Sequence, residues 1–186
     1  LPGETDKGII FKRTDLNKNN FIEANYKNVS RGKLCTTLEN QDGIKVSTVE
    51  HLLAALFIAE VDNAIIEINN EEVPIMDGSA KDFLEILKKT EIVPQSKKRK
   101  YLKILNNVEL KDGVKKIGIE PSETSFEVDF QLNYKNRIIG NQKNCINFNL
   151  DKLEEICNSR TFCLFEDIKK IKELGLAKGG SLDNAI

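Results

Sequence analysis

Glu50 and His51 stand side by side in Ser47-Thr48-Val49-Glu50-His51-Leu52-Leu53-Ala54-Ala55-Leu56, and His51 is the only histidine of 186 residues. An imidazole can ligate a divalent cation, and a neighbouring carboxylate can take a proton from water bound to that cation. Adjacent helical side chains diverge by roughly 100°, so Glu50 suits the bound water better than the metal itself. A catalytic zinc needs further protein ligands, and no His-x-x-x-His or His-x-x-x-Asp spacing supplies them here. Two other roles are open to the pair. Glu50 follows Ser47 by three residues and can close a capping box, and His51 can be a buried, hydrogen-bonded imidazole.

A second candidate is Arg160-Thr161-Phe162 with Leu164 and Phe165. A threonine hydroxyl can donate to an oxyanion, and the apolar side chains can line a slot. The same residues also fit a strand entering a core. Asp77-Gly78-Ser79 reads first as a turn and helix cap. Cys35, Cys145, Cys157 and Cys163 show no Cys-x-x-Cys spacing, which predicts free thiols in a reducing compartment, the cytoplasm. Cys157 fits a helix stripe as a small hydrophobe.

These residues need elements to hold them. With 28 basic and 29 acidic residues the net charge is −1, so nothing global favours nucleic acid. The cluster Lys97-Lys98-Arg99-Lys100 reads as a solvated linker. No apolar stretch is long enough to span a bilayer. Strands are predicted at Gly8-Arg13, Phe21-Ala24, Leu34-Leu38 and Ile44-Val46, with Asp42-Gly43 a hairpin turn. A helix capped by Ser47 runs to about Ile58; being apolar on nearly all sides, it is expected to be covered on both. Ala64-Ile68 is a strand, and Ser79 caps a helix with the stripe Ala80, Phe83, Leu84 and Leu87. A boundary falls between Ile92 and Lys98. Strands follow near Tyr101-Ile104, Val108-Leu110, Lys115-Ile119 and Phe126-Leu132. A helix capped by Asn149 carries Leu150, Leu153, Ile156 and Cys157, and Ile168, Ile171 and Leu174 mark a last short helix. Strands joined by short turns favour an α+β fold over a doubly wound sheet. Neither a Walker loop nor a dinucleotide fingerprint is present. Pro2-Gly3 reads as a turn, and both ends read as cut from a longer protein.

Taken in order, several stretches resemble the UDP-3-O-acyl-N-acetylglucosamine deacetylases, zinc amidases of lipid A biosynthesis in Gram-negative bacteria. They are Gly8-Ile9-Ile10-Phe11-Lys12-Arg13-Thr14-Asp15-Leu16, Leu34-Cys35-Thr36-Thr37-Leu38, the run from Val46 to Leu56, Asp62 to Asn69, Pro74-Ile75-Met76-Asp77-Gly78-Ser79-Ala80, Ser159-Arg160-Thr161-Phe162, and Gly175 to Ile186. The resemblance covers essentially the whole chain. It implies two two-layer α/β sandwich domains of similar topology, at 1–93 (with an insert at about 22–38) and 100–186 (with an acyl-passage insert at about 162–186). Each has a mostly antiparallel sheet packed on helices, and the helix layers face each other.

By the same resemblance His51 is a Zn2+ ligand, Glu50 the general base, and Thr161 the residue that helps hold the oxyanion. Leu34 and Cys35 flank the pocket, and Phe162, Leu164, Lys178 and Gly179 belong to the acyl passage. Cys163 stands where many relatives have glycine, which leaves the local backbone shape open. The implied partner is a UDP-linked acylated amino sugar, with no nucleic acid and no stable membrane insertion, and the protein is expected to be a monomer. The remaining zinc ligands would come from a His-x-x-x-Asp helix beyond Ile186, so the 186 residues alone are expected to be inactive. The competing class is a non-catalytic two-domain binding module that keeps the fold.

Overall fold

A computed structural model of the chain describes residues 1–32, 34–123 and 126–164, together with Ile168 and Glu173. Strands come in runs rather than in a repeating βαβ order, and the sheets are antiparallel apart from one pair, so the fold is α+β. The chain separates into two compact units. One takes in Leu1–Lys98 and the described residues from Glu154 onward, and the other is Arg99–Leu153.

In the first unit, strand β1 (Ile9–Arg13) lies between β2 (Phe21–Glu23), which is antiparallel to it, and β6 (Ala64–Ile68), which is parallel to it. A second antiparallel sheet joins β3 (Val29–Arg31), β4 (Thr37–Glu39) and β5 (Lys45–Ser47). Asn40 closes the β4–β5 hairpin, its side-chain oxygen accepting from the amides of Asp42 and Ile44 at 3.0 Å each. Gly43 takes the positive φ of 77° that this turn requires. The strand expected at Leu34–Leu38 therefore starts three residues later, because Leu34 has φ +71° and cannot sit in a strand.

Phe11, Ile22, Leu38, Val46, Val49 and Val73 are all at most 3% exposed and form the main core, with Leu52, Leu53 and Phe83 packed against it from the helix side. Helix α1 (Glu50–Ile58) packs on α2 (Lys81–Lys88). Ala55, Ala80, Leu84 and Cys157 are buried together between them. Only Ala55 and Leu56 of α1 are fully buried, and Phe57 is 57% exposed, so among the described residues α1 is covered on one side rather than two.

Leu1–Gly3 does not form the expected turn. It runs beside β6: the Leu1 carbonyl accepts from Ile65 N at 2.9 Å, and Pro2 bridges Ala64. A Cβ on Gly3 would meet Ala64 N at 2.6 Å, so only glycine fits.

The second unit holds two hairpins. β7 (Val108–Asp112) pairs with β8 (Lys115–Ile119), and β9 (Glu127–Asn133) pairs with β10 (Asn141–Asn147). Residues 101–105 are not a strand. Nor does a helix start at Asn149: α3 is only Leu153–Ile156, and Leu150 is 82% exposed. The Asn147 side chain accepts from the amides of Asn149 and Leu150, while Asp151 accepts from Asn147 N at 2.6 Å. These local bonds compete with the helix for the same backbone groups. β3 and β10 were not anticipated, since the polar run Asn141-Gln142-Lys143-Asn144 carries no strand-like alternation. Of the expected last helix, Ile168 and Glu173 are helical, and Ile171 and Leu174 lie outside the described residues.

Candidate functional site

Glu50 and His51 form the first turn of α1, but no side chain caps that helix. Ser47 ends β5, where its Oγ hydrogen-bonds Thr37 Oγ1 at 3.1 Å. Glu50 Oε2 accepts the Thr36 amide at 3.0 Å. The capping box is therefore not formed. Thr48, at φ +59°, turns the chain between strand and helix, and this aims the Ser47 side chain at β4 instead of at the helix amides.

This arrangement leaves Glu50 Oε1 without a hydrogen bond among the described residues. The carboxylate is thus oriented through one oxygen and open at the other. His51 is partly buried, and its imidazole makes no hydrogen bond among the described residues. A satisfied core histidine would have a partner for a buried ring nitrogen. No buried side-chain nitrogen or oxygen among the described residues lacks a partner, so the His51 ring nitrogens reach solvent. Among the described residues no group of three or more His, Cys, Asp or Glu could hold a metal ion, so a closed ligand set is not present there.

Leu34 and Cys35 directly precede Thr36, the residue that holds Glu50, so the structure brings this stretch to the base of the pair. Leu34 is 58% exposed, and Cys35 Sγ lies 3.8 Å from Thr37 Oγ1.

Thr161 is anchored elsewhere. Its amide donates to Gly78 O at 2.8 Å, Arg160 Nε donates to Asp77 O at 2.8 Å, and the Ala80 amide donates to Cys157 O at 3.1 Å. The 157–161 segment is thus fastened to the turn that opens α2, and α2 packs on α1. Among the described residues no hydrogen bond joins Thr161 to Glu50 or His51. Phe162 is 37% exposed and Leu164 partly buried. Lys178 and Gly179 lie outside the described residues.

The turn itself is tightly made. Ser79 is fully buried; its Oγ donates to Asp77 Oδ1 at 2.6 Å and accepts from Lys81 N at 3.1 Å. Ser79 therefore takes one amide at the start of α2 but is not its cap: the cap position is Ala80, and no side chain caps the helix. The reciprocal contact comes from Asp77, which accepts Ser79 N at 2.9 Å, and not from Asp82. The Ser79 hydroxyl holds the Asp77 carboxyl below its usual range, and the charge of Arg160 adds to this. Burial pushes the Cys157 thiol up, which suits an inert core residue.

An open polar groove of about 610 Å³ is lined by Glu23, Lys27, Glu39 and Gln41 among others, and by none of the candidate residues. Sequence reasoning missed Thr36, Thr48, Glu72 and the Gly78 carbonyl. Three of these act through backbone groups or conformation, for which the residue type gives no signal.

The family model described as UDP-3-O-acyl N-acetylglycosamine deacetylase matches residues 1–186. The chain is 39% identical over 186 residues to the UDP-3-O-acyl-N-acetylglucosamine deacetylase of Nitratiruptor sp., covering all of this chain and 61% of that protein. To the protein of the same name from Saccharophagus degradans it is 41% identical over 189 residues, covering 62% of that protein. To that from Syntrophotalea carbinolica it is 42% identical over 186 residues, covering 60% of that protein. The chain thus spans less than two thirds of the length of these relatives.

Proposed function

Because the chain belongs to the UDP-3-O-acyl N-acetylglycosamine deacetylase family, we propose that the full-length protein carrying it hydrolyses the acetamide of a UDP-3-O-acyl-N-acetylglucosamine in lipid A biosynthesis. The observation that carries this reading is the Glu50–His51 pair: a carboxylate oriented by the Thr36 amide with one oxygen open, next to a partly buried imidazole whose nitrogens reach solvent.

In the proposed reaction Glu50 accepts a proton from the attacking water, whose oxygen bonds to the acetamide carbon. The C–N bond then breaks, acetate leaves, and the sugar nitrogen gains a proton to become a free amine. The Thr161 hydroxyl donates to the carbonyl oxygen as charge develops there. His51 would supply one ligand to a zinc ion, and the remaining ligands would come from outside these 186 residues. A bound zinc lowers the pKa of its water and draws charge from a carbonyl.

Leu34, Cys35, Phe162, Leu164, Lys178 and Gly179 are assigned to the pocket wall and acyl passage. Burial of the fatty chain, at about 0.8 kcal/mol per methylene, would help hold the amide in place. The domains at 1–93 and 100–186 belong to the same reading, as do a monomeric state and a cytoplasmic location. No described helix is long and apolar enough to cross a membrane.

The test compares the full-length protein with the 186-residue chain for zinc content and for acetate release from UDP-3-O-acyl-N-acetylglucosamine. Stoichiometric zinc and turnover are expected only in the full-length protein. Tight zinc and normal turnover in the 186-residue chain would overturn the proposed ligand division. A full-length protein that binds the nucleotide sugar without releasing acetate would leave the binding-module reading standing instead.

A further inference from the structure

Thr48 is β-branched, lies in the left-handed region at φ +59°, and is 6% exposed. Bulky residues rarely adopt this conformation and keep it only where their surroundings impose it. Two segments do so here. Residues 71–73 run beside the end of β5, with Ser47 N donating to Glu71 O at 2.8 Å and Val73 N to Ser47 O at 3.0 Å. From that segment Glu72 Oε1 accepts the Thr48 hydroxyl at 3.0 Å. On the other side Thr36 O accepts Val49 N at 3.5 Å, and Thr36 N donates to Glu50. The strained residue therefore sits between a fixed strand end and the first turn of α1. Its dihedral angles set the direction in which α1 leaves β5.

We propose that Glu72 is a positioning residue for the Glu50–His51 pair. By accepting the Thr48 hydroxyl it holds the left-handed turn, and the turn aims the carboxylate and the imidazole. The kinetic arm of the test rests on the deacetylase reading, while the exchange arm does not.

In the full-length protein, Glu72→Ala, Glu72→Gln, Thr48→Gly and the double variant Thr48→Gly/Glu72→Ala are compared by kcat, by KM, and by hydrogen exchange of the metal-free protein at Leu53. The Leu53 amide makes the first helical bond of α1, to Val49 O at 2.9 Å. Glu72→Ala is expected to lower kcat by about 10–100-fold with KM little changed, and to reduce Leu53 protection while the β1 and β6 amides keep theirs. Glu72→Gln retains an acceptor and should recover most of both. Glycine adopts positive φ freely, so Glu72→Ala should cost nothing further in the Thr48→Gly background.

An equal loss in both backgrounds overturns the proposal, as does Glu72→Ala leaving kcat and Leu53 protection unchanged. Should Glu72→Ala not fold, Thr48→Val and Thr48→Ser repeat the comparison from the hydroxyl's side. A loss with valine alone supports the brace, and equal behaviour of the two overturns it. If the unmodified full-length protein releases no acetate, the deacetylase reading falls, while Leu53 exchange still decides the role of Glu72.

Discussion

Among the described residues Glu50 makes one hydrogen bond, which sets its two oxygens apart. Oε2 is committed to the Thr36 amide, which fixes the plane of the carboxylate, while Oε1 stays open. Glu50→Gln keeps an oxygen for Thr36 but removes the base. In the full-length protein kcat should fall about 10²–10⁴-fold, with a thermal midpoint close to that of the unmodified protein. A small change in turnover would show that Glu50 serves only the local fold.

Thiol chemistry offers a second check at this scale. Cys157 is 3% exposed and burial raises its pKa, whereas Cys145 is exposed. Since the thiolate is the species that reacts, alkylation followed by mass spectrometry should mark Cys145 well before Cys157. The reverse order would mean that the Cys157 cluster is open in solution.

Between elements, the turn from Asp77 to Ala80 is the joint where α2 meets the segment bearing Thr161. Asp77 has a lowered pKa in the fold, chiefly from the Ser79 hydroxyl. A carboxyl of this kind contributes its full stability above the unfolded value of 3.8, and that contribution is lost as pH falls through the lower folded value. Asp77→Asn should therefore cost about 1 kcal/mol near neutral pH and make the remaining stability less sensitive to acid below about pH 4. Urea denaturation at pH 7 and pH 3 measures both. An unchanged acid response would assign the acid sensitivity to other carboxyls, such as Asp15 beside Arg13, whose pKa is likewise lowered by a hydrogen bond.

Arg13 shows the same economy at the end of β1. It is 8% exposed, holds Asp15 through Nε and Nη2 at 2.8 and 2.6 Å, and reaches Lys45 O through Nη1 at 2.8 Å, tying β1 to β5.

Over the whole molecule the two units differ in how much they bury. The first closes a core around Phe11, Ile22, Val46 and Val49, all fully buried. In the second, every residue of β7 and β8 is exposed, including Val108, Leu110, Ile117 and Ile119. Two-stranded hairpins without a packed face are marginal in water. In the 186-residue chain the amides of β7 and β8 should exchange much faster than those of β1 and β6, which pair in register from Ile9–Ala64 to Arg13–Ile68. Comparable protection in both units would contradict this ordering of stabilities.

The amino-acid sequence by itself determined the α+β class, the adjacency of Glu50 and His51, and the strands β6 and β8 to the residue. These rest on period, turn chemistry and ordered motifs, which are local. Only the tertiary structure decided that Ser47 faces β4, that Glu50 is held by a backbone amide 14 positions away in sequence, and that Glu72 reaches Thr48. It also shortened the helix expected from Asn149 and raised β10 from a polar run. The helix is shortened by the local bonds of Asn147 and Asp151; in the other cases the partner is a backbone group or a residue distant in sequence. Residue type and spacing carry no record of such neighbours, because the chain meets them only once it has folded.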